Sequence, residues 1–189
     1  MTETITRPDC ISSGCPDLGI YVACLASYNA GHLVGCWIDL AELPVSAEQI
    51  SEAIQWMLQQ SPATDAEEYA VHDSSGLPSF LRSTEWPELA QLALYAETLA
   101  EVGESDAEAY RLACDDVSEV ITEDDFRDTY CGCYSSGEDY AEQFHDDCGT
   151  DLGPLAAYID WERYWRDLTY DGYREEAASD GGVHIFRSC

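Results

Sequence analysis

The sequence predicts an α+β fold set out as three small parts along the chain. A sheet with a helix against it comes first, then a helical, strongly acidic middle, then a mixed C-terminal part. Three observations carry this reading. Short apolar runs bounded by turn residues stand in the first and last thirds. Capping residues followed by apolar positions at 3–4 spacing recur from Ser46 onward. The chain is 46% hydrophobic, with five Trp, twelve Tyr and four Phe in 189 residues. That is enough to bury a core, which separates it from acidic chains that stay unfolded. The expected boundaries are a mobile N-terminal arm over 1–18, an α/β part over 19–80, an acidic helical part over 81–125 and an α/β part over 126–189.

The elements follow in order. Gly19 to Leu25 is an apolar run that reads as a buried strand, and Asn29-Ala30-Gly31 supplies a turn. Leu33 to Ile38 reads as the returning strand. Ser46-Ala47-Glu48-Gln49 is a capping box; Ile50, Ile54, Met57 and Leu58 then share one helical face, and Pro62 closes the helix. Glu68 to Asp73 is a third strand, stopped by Ser74-Ser75-Gly76. Pro87 stands in a first helical turn, with Leu89, Leu92, Ala93, Ala96 and Leu99 in register up to Gly103. Ser105-Asp106-Ala107-Glu108 reads as a second capping box, with Tyr110, Cys114, Val117 and Ile121 as its buried stripe. Thr122 opens a third helix, Ser136 a short one ending at Gly149, and Asp160 caps a helix through Leu168. Gly182 to Phe186 closes the chain as a strand.

Charge is the strongest signal. There is no lysine, and eight arginines face thirty-eight Asp and Glu, a formal net charge of −30. Such self-repulsion opposes a compact state. A surface this negative repels nucleic acid and anionic membranes and suits basic grooves on other proteins. Residues 1–60 carry net −6, residues 61–129 net −15 and residues 130–189 net −9. Helical spacing sets Glu97, Glu101 and Glu104 in one row and Glu108, Asp115 and Glu119 in another. Like charges at i,i+4 cost about 0.2–0.5 kcal/mol each, and a solvated helix ordinarily mixes signs. The candidate partner-binding acids are therefore Glu97, Glu101, Glu104, Glu108, Asp115, Glu119, Asp124, Asp125, Asp128, Glu138, Asp139, Glu142, Asp146 and Asp147. Duplex DNA carries one charge per about 1.7 Å, so 30 charges occupy roughly 50 Å of it. A compact chain of this length has a radius of gyration of about 16 Å. An elongated chain, or a two-fold dimer carrying −60, could match DNA over roughly 30 base pairs.

Other chemistry finds little support. His72-Asp73 and His145-Asp146 are neighbours only in sequence, and no phosphate loop, H-E-x-x-H or G-x-S-x-G motif occurs. Asp147-Cys148-Gly149-Thr150-Asp151 fails as a calcium loop, since Leu152 and Tyr158 stand at the positions that need Gly and Glu. Neither catalyst nor cofactor is expected. Cys131, Cys133 and Cys148 lack the paired spacing of a zinc site, so no metal is expected. The nine cysteines are odd in number, and no basic stretch followed by an apolar core opens the chain. Reduced thiols in a cytoplasm are expected, with Cys24 and Cys36 in the core. No apolar run approaches 18 residues.

Three stretches resemble the ArdA antirestriction proteins of plasmids, phages and conjugative transposons. The first is Ile20-Tyr21-Val22-Ala23 with Tyr28-Asn29 and Gly31, continuing to Gly35 and Trp37-Ile38-Asp39. The second is Glu67-Glu68-Tyr69-Ala70-Val71-His72-Asp73 with Gly76. The third spans Tyr130, Gly132, Tyr134, Ser136, Glu138, Asp139, Tyr140 and Ala141. The likeness covers nearly the whole chain from Gly19; the segment before it and the cysteine content depart from the family. The resemblance implies an elongated homodimer of chains with three subdomains. It implies a non-catalytic DNA mimic that fills the DNA groove of type I restriction-modification enzymes and blocks cleavage, and often methylation. It also places an antirestriction motif and dimer contact on the third stretch, here Tyr130, Gly132, Tyr134 and Tyr140. Two other readings compete: a salt-adapted acidic enzyme or binding module, with its charge spread evenly, and an acidic inhibitor of some other DNA-binding protein.

Overall fold

Strand pairing at alternate apolar positions builds the first sheet. The computed structural model describes residues 5–41, 45–64, 66–149 and 152–188. The chain divides into two compact units, Met1–Ile121 and Thr122–Cys189.

In the first unit, β1 (Ile11–Ser12), β2 (Gly19–Cys24), β3 (Gly35–Asp39) and β4 (Tyr69–Ser75) form an antiparallel sheet in the order β1-β3-β2-β4. Ile38 faces Ile11 on one side and Ile20 on the other, and Val22 faces Val71. Ile20, Val22, Ile38 and Ala70 are fully buried. A large aliphatic side chain buried this way stabilises by about 1.5–3 kcal/mol. A short helix, α1 (Leu25–Asn29), follows β2. The helix α2 (Ala47–Gln59) packs on β2 and β3 through Ile50, Ala53, Ile54 and Met57. Its capping box is complete: Gln49 N donates to Ser46 Oγ at 3.3 Å, and Ser46 N donates to Gln49 Oε1 at 2.9 Å.

Beyond α3 (Ser79–Arg82), α4 (Leu89–Val102) lies against α2, and α5 (Ala107–Val117) lies against α4. The rings of Tyr95 and Tyr110 stack at 5.4 Å between these last two helices. Their hydroxyls donate to Gly76 O and Ile121 O, so neither buried phenol lacks an acceptor. Burial pushes both phenols well above the usual tyrosine range.

Two expectations change here. The segment 1–18, read as a mobile arm, contributes β1 to the sheet; residues 1–4 lie outside the described residues. Cys10, Ile11 and Leu18 are buried, and Asp39 N donates to Cys10 O at 2.8 Å. The helical middle is not a separate part either, because α4 and α5 belong to the same unit as the sheet. Two units stand where three were expected, with the boundary after Ile121.

The second unit opens with α6 (Glu123–Thr129), capped by Thr122, and continues through β5 (Tyr130–Tyr134) and α7 (Gly137–Asp147). A 3-10 turn over Gly153–Tyr158 leads to α8 (Trp161–Tyr170), β6 (Tyr173–Ala177) and β7 (Val183–Arg187). The strands form an antiparallel sheet in the order β5-β7-β6. Tyr140, Ala141, Trp165, Leu168 and Ile185 make the core between this sheet, α7 and α8. Gly137 is needed there: its backbone lies directly against the Trp165 indole, leaving no room for a Cβ. Both mixed helices and antiparallel sheets are present, as an α+β fold requires.

Candidate acidic interface

The fourteen candidate acids fall into two sets, one in each unit. In the first, Glu97 and Glu101 sit one turn apart on the exposed side of α4. Gly103, with φ 92°, ends that helix, so Glu104 stands in a 3-10 turn rather than on the same helical row. Glu108 follows in the first turn of α5. The four nevertheless line one groove, so loop geometry restores what the broken helix would have lost.

The second expected row does not survive as a row. Helix α5 ends at Val117, Ser118 takes a left-handed conformation, and Glu119 lies beyond it. Asp115 is only half exposed and is engaged within the fold. It pairs with Arg111 at 3.4 Å and accepts a short hydrogen bond from Ser79 N at the start of α3. Of the stripe expected on this helix, Tyr110 and Cys114 are buried but Val117 is exposed. The capping box expected from Ser105 is absent: Asp106 holds the N-cap position with no side-chain cap bond.

In the second unit half of the eight candidate acids stand at helix starts. Asp124 and Asp125 stand with Glu123 in the first turn of α6, and Glu138 and Asp139 in the first turn of α7. Carboxylates there complement the exposed amide groups, worth about 0.3–1 kcal/mol each. Thr122 Oγ1 donates to Asp125 Oδ2 at 2.7 Å, and Ser135 N and Oγ both donate to Asp139 Oδ2. The Ser136 hydroxyl, with the amide of Glu138 itself, holds the Glu138 carboxyl below the usual range. Asp128, Glu142, Asp146 and Asp147 are exposed.

Cations do little to offset these groups. Arg127 pairs with Glu123 and Arg174 with Glu176, while Arg187 Nε donates to Asp128 O and Arg7 to Ile11 O. Among the described residues, no arginine lies within ion-pair distance of Glu97, Glu101, Glu104, Glu119, Asp124, Glu142, Asp146 or Asp147. Arg163 and Arg166, on the exposed side of α8, have no carboxylate at that distance among the described residues either.

The aromatic residues singled out as a dimer contact are largely turned inward. Tyr140 is buried, edge-on to Tyr134 at 5.0 Å and to Trp165 at 5.9 Å. Its ring belongs to the unit's own core, which corrects the expectation of a contact through it. Tyr130 stacks on Phe126 at 5.0 Å, and its hydroxyl meets His184 Nδ1 at 3.0 Å. Gly132 and Tyr134 are half-buried on β5, an edge strand with no partner strand on its outer side among the described residues.

Three of the four histidines have aromatic neighbours: His72 beside Tyr28, His145 beside Trp161 and Tyr164, and His184 beside Tyr130. Among the described residues, no three His, Cys, Asp or Glu side chains converge to hold a metal ion. Thr150 and Asp151 of the rejected calcium loop lie outside them. The described cysteines are free thiols. Cys24 is fully buried, whereas Cys36 is half-buried; burial still pushes its thiol up to about 11. No described helix is long and apolar enough to cross a membrane.

Sequence reasoning missed the apolar floor beneath the first acid set, built from Leu18, Leu40 and Leu99. No local pattern marks it, because its residues come from segments far apart in the chain.

A comparison with curated protein sequences gives no match. The family model described as antirestriction protein (ArdA) matches residues 20–181, from β2 to the turn between β6 and β7. The family is one of antirestriction inhibitors directed at restriction-modification enzymes rather than of enzymes. With the match running through both units, this chain belongs to the ArdA antirestriction family.

Proposed function

We propose that the chain is a cytoplasmic DNA mimic, carried by mobile genetic elements. Its acidic surface enters the DNA-binding groove of type I restriction-modification enzymes and blocks restriction and, with it, modification. The observation that supports this most is the set of exposed carboxylates on α4, α6 and α7 that have no cationic partner among the described residues, in a chain of net −30. DNA enzymes position duplex through Lys and Arg contacts to phosphates, which carry no sequence information. Carboxylates in their place satisfy those contacts for any recognition sequence and offer no bond to cleave and no base to methylate. Inhibition is then competitive with DNA and indifferent to the recognition specificity. The mimic works as a homodimer, and we place the contact on the outer edge of β5, around Gly132 and Tyr134, where no strand pairs with it among the described residues.

The test is displacement of duplex DNA from purified type I methyltransferases of two recognition specificities, across a salt series. Both enzymes lose DNA, and the inhibitory complex weakens as salt rises because surface charges are screened beyond about 8 Å at physiological ionic strength. Undiminished DNA binding in the presence of excess protein overturns the reading. Sedimentation over the same series reports the dimer, which tightens with salt because the two copies carry like charge.

A further inference from the structure

A groove of about 770 Å³ lies in the first unit, between α4, α5 and the residues that flank β2 and β3. Its floor is apolar: Leu18 and Leu40 from the sheet side, with Ala96, Leu99 and Ala100 from α4. Its rim is acidic, with Asp17, Glu97, Glu101, Glu104 and Glu108. Among the described residues the cation at the rim is Arg111, which is paired with Asp115. Phosphate mimicry needs carboxylates in water and has no use for an apolar slot among them. The slot has the size of a site for one or two large side chains.

The sign of the rim selects the occupant. Nucleic acid and anionic lipid are repelled. A second copy brings the same excess of acid and no lysine at all. We propose that this groove takes a basic amphipathic polypeptide segment of the target enzyme. A large apolar side chain seats over Leu99 and Ala100, and flanking Lys or Arg side chains meet the rim glutamates. This is helix-in-groove recognition with acids as the polar border. It rests on the DNA-mimic reading and gives the complex a component that salt does not screen.

The experiment uses the full chain and two labelled helical peptides of roughly 18 residues, followed by fluorescence anisotropy. One alternates Leu and Lys at helical spacing; the other keeps every Lys and replaces Leu by Gln. The Leu/Lys peptide binds about tenfold tighter or more, and at about 0.5 M salt it alone is retained. Ala100→Trp adds an indole at the groove wall from an exposed helical position and covers the Leu99–Ala100 seat. It lowers Leu/Lys affinity to that of the Gln/Lys peptide and leaves the Gln/Lys affinity unchanged. Ala100→Gln, read by the same two peptides with circular dichroism as the control, serves if the tryptophan disturbs the fold.

Equal binding of the two peptides, or wild-type binding by both Ala100 variants, overturns the groove assignment. So does a change of sedimenting mass in Ala100→Trp, which would give the slot to a second copy. Displacement of DNA from a type I methyltransferase is measured alongside. If displacement stands and the peptides are not distinguished, the groove assignment alone falls. If wild-type protein displaces no DNA, the DNA-mimic reading falls whatever the peptides do.

Discussion

Replacing Gly137 by alanine tests whether the second unit is packed as closely as its core implies. An added Cβ meets Cε2, Nε1 and Cδ1 of Trp165, the farthest of the three at 2.6 Å. No ordinary contact is that short, so the indole must move. Trp165 is buried and edge-on to Tyr140, which in turn packs against Phe144 and Tyr173. Movement therefore spreads through the core of this unit. Overpacking of this kind costs about 1–3 kcal/mol. Alanine returns up to about 1 kcal/mol of helix propensity in the first turn of α7. A net loss of about 1–2 kcal/mol corresponds to a fall in Tm of roughly 4–16 °C for a unit of this size. Thermal unfolding followed by tryptophan fluorescence reads it, and hydrogen exchange localises the loss to α7, α8 and β7. Gly137→Ala with Trp165→Phe recovers part of the loss by making room. A Tm within about 2 °C of wild type for Gly137→Ala alone would refute the reasoning.

Three further outcomes follow from other parts of the molecule. Changing Glu97, Glu101, Glu104 and Glu108 together to Gln weakens displacement of DNA from the target by roughly 5- to 1000-fold, since each exposed ion pair contributes about 0.2–1 kcal/mol; each single change costs no more than about fivefold, and a single change that abolished inhibition in a folded protein would point to a discrete site instead. Ser46→Ala removes the α2 cap and lowers stability by about 1 kcal/mol in urea titration, where an unchanged midpoint would contradict the capping geometry. Cys36, with its thiol at about 11, alkylates about tenfold faster per pH unit from pH 8 to pH 10, and a plateau below pH 10 by mass spectrometry would show that its environment is not the buried one described.

Local signals explain what was legible in the sequence. Ser46 with Gln49, Thr122 with Asp125, Ser136 with Asp139 and Asp160 with Arg163 all mark helix starts through partners three residues away. Strands β2, β3 and β4 were legible because they are apolar and end in turn residues. Strands β5 and β6 were not. Tyr-Cys-Gly-Cys-Tyr and Tyr-Arg-Glu-Glu-Ala carry no continuous apolar run, and both lie at sheet edges, where pairing with β7 rather than composition makes the strand. The pairing of β1 with β3 was hidden for the same reason, behind Pro8, Gly14 and Pro16. The acids were readable as a population. Their separate duties were not: Asp115 bonds to a residue 36 positions away, and the groove that gathers Glu97 to Glu108 exists only once Gly103 has broken the helix.

The placing of the arginines bears on how a partner arrives. Most are held by the chain itself, against Ile11, Ser79, Asp115, Glu123, Glu176 or Asp128. Each such cation is masked by its own neighbour. Arg163 and Arg166 are the departure, standing together on one exposed side of α8. Even there the two cations share a recess with Glu138, Asp160 and Glu162, so α8 carries no positive face of its own. A basic surface drifting toward the second unit meets carboxylates at the starts of α6 and α7 and no excess of positive charge beside them. Attraction of one sign over a broad approach raises the association rate, a gain that is largest at low ionic strength.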